Sequence, residues 1–405
     1  MAAITTISET RTRAKVVFLR AYRVQIPLKS KIRHASHVRN SSENLVVECK
    51  LDDGTTGFGE GVPREYVTGE TIDFSLDLLN RTDWSQIQNP NEQFGDAVEM
   101  IRSLTLPHVE NDLRGCVGNA ARCAAELALL DAFGKRFGVS LQRLAEFVPE
   151  TESIRKLKDR CQYSGAVTSK SWHREFISAV KLKIVGFPHI KIKVGTAGQD
   201  DPARLKMFRR VFGWRKDFRI DANEAWTPAN VVAQIQSLMP YGITAVEQPV
   251  THENRLCLAD VRNQVDVPIM HDESLCSMAD AKEAVEKKTC DIFNIRLSKC
   301  GGLIRSMELA AFARRHGLKY QLGCQIGETG ILSAAGRSFA CSIDHIRYLE
   351  GSYDRHLVRE RLTDQDITFN WTGYAPALTS PGLGVTVSRE RLKAVTTAES
   401  QLFMD

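Results

Sequence analysis

The sequence predicts an α/β chain in which an eight-stranded parallel barrel follows a separate α+β domain. Three observations carry that expectation. Eight short strand-like runs recur from about residue 160 onward, their starts spaced by about 23 to 29 residues, the length of one strand, one helix and two short loops. Segments with helical apolar spacing lie between the runs. The first 150 or so residues lack this alternation and read as strands followed by helices.

The runs are YSGAVTS (163–169), HIKIKVG (189–195), FRIDAN (218–223), AVEQPV (245–250), PIMHDES (268–274), IFNIRLSKCGG (292–302), KYQLGCQIGE (319–328) and IRYLEGS (346–352). Among the intervening segments, DPARLKMFRRVF (201–212) places Leu205, Phe208 and Val211 or Phe212 at helical spacing. ANVVAQIQSLM (229–239) and LIRSMELAAFARRHG (303–317) behave likewise, the latter ending in a C-cap glycine, Gly317. Alternating units of this kind make a parallel sheet, and eight of them close into a barrel. Ahead of them, AKVVFLRAYRVQIPL (14–28) and ENLVVECKLDDGTTGFGE (43–60) read as strands, the second turning at Asp53-Gly54. ARCAAELALLDAFGKRFG (121–138) reads as a helix. The segment after about residue 360 lacks the repeat and is expected to pack back on the first domain.

Composition narrows the function classes. With 43% hydrophobic and 25% charged residues, the 405-residue chain has the make-up of a soluble globular protein. A net charge of +5 with no dense Lys/Arg cluster among aromatics argues against nucleic-acid binding. No apolar run approaches the ~18 residues of a membrane span. The opening MAAITTISETRTRAK lacks the apolar stretch of a secretory signal and reads as a frayed tail. None of the ten cysteines falls in a C-x-x-C pair, which argues against a cysteine zinc site and a dense disulfide framework and suits a reducing cytoplasm.

The charged residues sit at the ends of the runs, where barrels of this kind place their chemistry. Lys191 and Lys193 are two apart on one strand, so they face one side together. A buried lysine is costly without a nearby negative charge. The third strand ends in Asp221 and Asn223, the fourth in Glu247, the fifth in Asp272 and Glu273, the sixth in Lys299. Three consecutive strands, about 4.8 Å apart, each deliver one carboxylate. Such a set repels itself unless a cation binds, and all-oxygen donors favour a hard ion, Mg²⁺ first with Mn²⁺ as the alternative. Helix capping explains any one acid alone but poorly explains three in register.

Strands two and six face each other across a barrel of eight, so Lys193 and Lys299 point at the pocket from opposite sides. Neighbouring positive charge lowers a lysine's pKa and makes a neutral amine base accessible. Two such bases across a metal suit the removal or delivery of a proton at the carbon next to a carboxylate, the metal stabilising the enediolate. A solvated loop lysine at 299, or an edge-strand pair at 191 and 193, accounts for each alone but not for the set.

KIK (191–193), DAN (221–223), EQP (247–249), DES (272–274) and LSKCGG (297–302) together resemble the enolase superfamily, most closely its muconate-lactonizing-enzyme subgroup. DDGTTGFGEGVPREYVTGET (52–71) is similar to that family's capping-domain signature. The resemblance implies a modified (β/α)7β TIM-type barrel with an N-terminal α+β capping domain. The expected division is a tail over 1–14, the capping domain over 15–155, the barrel over 156–360 and a C-terminal segment over 361–405 that packs on the capping domain.

The resemblance also implies Mg²⁺ on Asp221, Glu247 and Asp272, with Lys193 and Lys299 as opposed acid/base catalysts. Lys191 would lower the pKa of Lys193 and help stabilise the enediolate. Asn223 would neighbour the metal site, and Glu273 would hydrogen-bond Lys299. Specificity would come from the capping loop KSKIRHASHVRNSS (29–42), with His34, His37 and Arg39, from Gln325 and Glu328 after strand seven, and from Glu350 at the end of strand eight. Dipeptide epimerases of this subgroup carry Asp-x-Asp at that last position to hold the substrate ammonium. Here the residues are Glu350, Gly351 and Ser352, which leaves Glu350 as the candidate for holding a cation. The basic capping loop suits an anionic substrate.

The expected activity is a Mg-dependent isomerase on a small-molecule carboxylate, either a muconate-type cycloisomerase or a racemase/epimerase of amino-acid derivatives. The alternative is a lyase of the same superfamily, a dehydratase or an o-succinylbenzoate synthase type. A Schiff-base aldolase on Lys193 or Lys299 and a scaffold on a dead barrel are the readings from other classes. No nucleic-acid or membrane partner is expected; a homo-oligomer is.

Overall fold

The computed structural model describes residues 13–33, 38–168 and 171–405. The chain opens with β1 (Val16–Arg33), β2 (Val38–Leu51) and β3 (Thr56–Gly61), paired antiparallel. Gly54 takes φ 89° at the turn between β2 and β3, as an Asp-Gly hairpin requires. Helices α1 (Glu65–Thr68), α2 (Ile72–Asn80), α3 (Phe94–Ser103) and α4 (Asn119–Arg136) follow. A short β4 (Arg160–Gln162) leads into the barrel strands β5 (Gly165–Val167), β6 (His189–Lys193), β7 (Asp217–Asp221), β8 (Ile243–Glu247), β9 (Ile269–His271), β10 (Ile292–Ile295), β11 (Lys319–Leu322) and β12 (Ile346–Leu349). Between them run α5 (Trp172–Val185), α6 (Asp201–Phe212), α7 (Val231–Leu238), α8 (Leu258–Arg262), α9 (Met278–Lys287), α10 (Leu303–Arg315) and α11 (Gly330–Ser342). The chain ends with α12 (Asp354–Leu357), β13 (Tyr374–Pro376), α13 (Arg389–Val395) and β14 (Thr396–Met404).

The GFGEG run of β3 has a packing reason. A Cβ on Gly57, Gly59 or Gly61 would lie 2.2, 2.1 or 2.0 Å from backbone atoms of Ala132, Ala124 or Ala120 on α4. Strand and helix meet backbone to backbone, so no side chain fits there. Glu60, between these glycines, reaches the barrel instead. Its buried carboxylate accepts hydrogen bonds from the Thr329 N–H and hydroxyl, from the Leu332 N–H at the start of α11 and from the Asn44 amide. The first domain is thereby fixed over the ends of the barrel strands.

The eight strands β5 to β12 are parallel and adjacent in chain order, with seven helices between them. The Ser164 N–H donates to the Leu349 carbonyl at 2.8 Å and joins the first strand to the last. Outward positions Ile190, Ile192, Phe218, Ile220, Val246 and Ile269 form the apolar layer under the helices. Inward, Ala245, Met270, Ile292 and Tyr348 make a small apolar group of their own. Each stands two residues before an inward polar group, Glu247, Asp272, Asn294 and Glu350, so strand alternation stacks a charged layer directly on an apolar one.

All eight expected strands are present, and α6 spans residues 201–212 as expected. Residues 1–12 of the expected tail lie outside the described residues, but Ala14 is buried and exchanges both backbone hydrogen bonds with Asn91. The C-terminal segment divides its pairing, β13 with β4 and β14 with β1, because each of those strands presents an open edge. Among the described residues no helix is long and apolar enough to cross a membrane, and the ten cysteines are free thiols.

Candidate active site

The barrel register sets Lys193 level with Asp221 and Asp221 level with Glu247. Lys191 points inward one layer below, level with Arg219. Its ammonium lies 3.3 Å from Asp221 Oδ2, 3.4 Å from Glu247 Oε1 and 2.8 Å from Glu350 Oε1. Burial opposes the charge on Lys191, but Glu247, Glu350 and Asp221 outweigh it and raise its pKa above the ordinary lysine value. Lys191 is therefore a fixed cation. Arg219 is fully buried, pairs with Glu350 and lies with its guanidinium 4.5 Å from the centre of the Tyr348 ring. Burial pushes the Glu350 carboxyl up, yet Lys191 and Arg219 hold it down at about 2. Glu350 does hold cations, and they are this chain's own.

Lys193 is half-buried and donates to the Asn223 side-chain oxygen. The Asn223 N–H in turn donates to Asp221 Oδ1 at 3.1 Å. Asn223, Glu224 and Gln248 all take positive φ, 44°, 65° and 35°, in the turns that leave strands β7 and β8. Non-glycine residues in this region carry strain that persists where the surrounding structure fixes it, and such residues cluster at functional sites.

The opposite wall is built differently. Lys299 is fully buried and donates to Asp272 Oδ1 at 2.9 Å, to the Asp272 carbonyl at 2.5 Å and to the Asn294 carbonyl at 2.9 Å. The expected bond from Lys299 to Glu273 is not made, because an ammonium has three N–H groups and all three are used. Glu273 is buried with Oε2 unbonded; burial first, then the charges of Glu224 and Asp221, push it up to about 8. Burial lowers the pKa of Lys299. Arg296 donates to Asp272 and lies 4.0 Å from Glu247 Oε1, which also accepts from the Asn294 amide at 2.8 Å.

Arg219, Asn294 and Arg296 were not singled out from the sequence, although they obey the alternation that singled out Lys191. Gln248 is a fourth. Its carbonyl oxygen accepts from the Asp272 N–H at 2.9 Å and the Ser274 N–H at 3.1 Å, while its amide donates to the Val250 carbonyl and the Ser274 hydroxyl, both at 2.8 Å. The glutamine of EQP thus shapes the turn of DES.

The specificity candidates are only partly gathered. Arg39 lies over the Tyr66 ring at 5.3 Å. Gln325 is buried with Oε1 unbonded, and its N–H donates to Glu328 at 2.5 Å. Desolvation pushes Glu328 up to about 8. His34 and His37 lie outside the described residues.

The three expected metal ligands form one linked cluster, Lys191 touching Asp221 and Glu247, and Arg296 touching Glu247 and Asp272. Among the described residues no three His, Cys, Asp or Glu side chains are grouped to hold a metal ion as they stand. The donor chemistry nonetheless fits a hard divalent ion: the donors are all carboxylate oxygens, and Asp221 Oδ2 and Glu247 Oε2 are buried with no hydrogen bond.

A family model described as Enolase C-terminal domain-like matches residues 175–391. The hydrophobic dipeptide epimerase of Enterococcus faecalis is 32% identical over 325 residues, 79% of this chain and 85% of that protein. The N-succinyl-L-Arg/Lys racemase of Bacillus cereus is 25% identical over 393 residues, 94% of this chain and 98% of that protein. A crystal structure of the dipeptide epimerase from Enterococcus faecalis V583, complexed with Mg and the dipeptide L-Leu-L-Tyr, is similar with a TM-score of 0.79 at 26% identity, covering 92% of this chain and 99% of that one.

Proposed function

The chain belongs to the enolase superfamily, and on that premise we propose that it is a divalent-metal-dependent racemase or epimerase of amino-acid derivatives. It removes the proton α to a substrate carboxylate and returns one to the opposite face. The observation that carries the reading is the pair Lys193 and Lys299, one linked through Asn223 to Asp221 and the other bonded to Asp272, the first at the end of barrel strand two and the second in the turn after strand six.

Asp221, Glu247 and Asp272 are the residues that would hold Mg²⁺, which when bound offsets the charge that grows on the substrate carboxylate as the proton leaves. Lys193 and Lys299 act as base and acid in turn, each serving one face of the α-carbon. Asn223 holds the Lys193 ammonium in place. The burial that lowers the pKa of Lys299 brings its neutral amine, the form that accepts a proton, within reach. Lys191 stays charged and anchors the carboxylates from beneath.

The state of Glu350 narrows the substrate. With Lys191 and Arg219 both on it, it has no spare charge for a free substrate ammonium. An N-acylated amino acid, the kind of substrate named for the Bacillus cereus relative, suits this pocket better than a dipeptide with a free amino end. The test is deuterium exchange from D2O at the α-carbon of N-acyl amino acids and of dipeptides, with product analysis. Exchange with inversion, faster on N-acyl substrates, lost with a chelator and restored by Mg²⁺, is expected. Exchange that survives chelation, or elimination in place of inversion, contradicts the proposal.

A further inference from the structure

Residues 114–119, which lead into α4, grip two loops of the barrel rim. Arg114 donates to the Glu273 carbonyl at 2.7 Å and pairs with Asp280 at 2.8 Å. The Asn119 amide donates to the Cys276 carbonyl and to the Lys299 carbonyl, both at 2.7 Å. Between these two grips lie Cys116 and Cys276. They pack with Val67 in a small buried group. The Cys276 thiol also lies 3.6 Å from the Glu273 carbonyl and 3.7 Å from the Val67 carbonyl.

Neither thiol has a part in the proposed reaction. Burial raises the Cys276 thiol, but Cys116, Lys299 and Arg114 hold it below the ordinary value, which favours the attacking thiolate. Cys116 is buried at 4% exposure, next in sequence to the exposed Gly115.

We propose that Cys116 and Cys276 are a disulfide-forming pair through which a low-molecular-weight disulfide fixes the α+β domain to the rim that carries Asp272 and Lys299. One thiolate attacks a sulfur of the small disulfide, giving a mixed disulfide and releasing one small thiol. The second protein thiol loses its proton to solvent and attacks the protein sulfur of the mixed disulfide, releasing the other small thiol. Two protein thiols are oxidised and one small disulfide is reduced to two thiols. Two further buried thiols, Cys161 on β4 and Cys341 on α11, lie outside this clamp and serve as an internal comparison.

The test incubates the full chain with oxidised glutathione, alkylates the remaining thiols and maps peptides without reduction. A Cys116–Cys276 linked peptide is expected, absent from Cys116→Ser and Cys276→Ser and lost on treatment with dithiothreitol. Amide hydrogen exchange over residues 272–277 should slow several-fold on oxidation of the parent and not of Cys116→Ser. Recovery of both thiols as alkylated or glutathione-capped, linkage of Cys161–Cys341 alone, or rim exchange unchanged by the bond would overturn the proposal. Mapping needs no turnover, so its outcome is independent of the proposed reaction.

Discussion

The two walls of the barrel mouth carry the same functional group in unlike settings. Lys193 stands half in solvent, and its head is held by Asn223 in a left-handed turn. Lys299 has no exposure, spends its three N–H groups on Asp272 and Asn294, and has its own carbonyl clamped by Asn119 of the first domain. The first wall is positioned by one strained residue; the second is woven into the structure. The two proposed bases therefore need not share a relation to stability: Lys193 makes one side-chain hydrogen bond, to Asn223, whereas Lys299 is tied into the interior through Asp272 and Asn294.

The charge beneath both walls should give the largest effect. Lys191→Met leaves Asp221 and Glu247 buried without their shared cation, and breaking a buried pair in this way costs roughly 3–5 kcal/mol. Denaturant unfolding should show this loss together with the disappearance of α-proton exchange. An unfolding midpoint equal to the parent's would mean that Lys191 is not the common anchor of the two walls.

The contrast itself is sharpened by paired alanine variants. Lys299→Ala strands the Asp272 and Asn294 acceptors in the interior and should cost about 1–3 kcal/mol. Lys193→Ala, at a half-exposed site, should stay within about 0.5 kcal/mol of the parent. Equal losses by denaturant unfolding would erase the distinction drawn between the walls. Gln248→Ala acts on the second wall only, because it frees the Asp272 and Ser274 N–H groups. It should weaken Mg²⁺ binding, read by titration calorimetry, with little change on the Lys193 side; affinity at the parental value would show that Gln248 does not position Asp272.

A pH-dependent effect concerns the start of α4. Glu70 accepts from the Ala120 and Ala121 N–H groups at the start of α4, beside Asn119. Burial pushes it up to about 7 from an ordinary 4.5, so the folded state binds more protons between those values. Its contribution to stability is complete below pH 4.5 and is lost as pH rises through 7. Glu70→Gln should flatten that part of the stability-against-pH curve, measured by unfolding at a series of pH values. A slope identical to the parent's would show that burial does not raise the Glu70 pKa above its ordinary value.

Legibility from sequence followed the same divide. The strand alternation that exposed Lys191 and Lys193 is a local signal, and so is the run of acids at successive strand ends; both were readable. The same period marks Arg219, Asn294 and Arg296 as inward-facing, yet nothing local tells whether an inward arginine pairs with Glu350, Asp272 or water. The partner choice of Lys299 depends on the three-dimensional supply of acceptors, which is why Glu273, the candidate the resemblance implied, lost to Asp272 and Asn294. The division of the C-terminal segment between β4 and β1 depends on which strand edges stay open, a property of the finished sheets.

The central claim is that Lys193 and Lys299 serve opposite faces of one α-carbon, and deuterium incorporation from D2O into each substrate enantiomer measures it most directly. Lys193→Ala should abolish incorporation from one enantiomer and spare the other, with Lys299→Ala showing the reverse. Incorporation from both enantiomers at parental rates in both variants would contradict it.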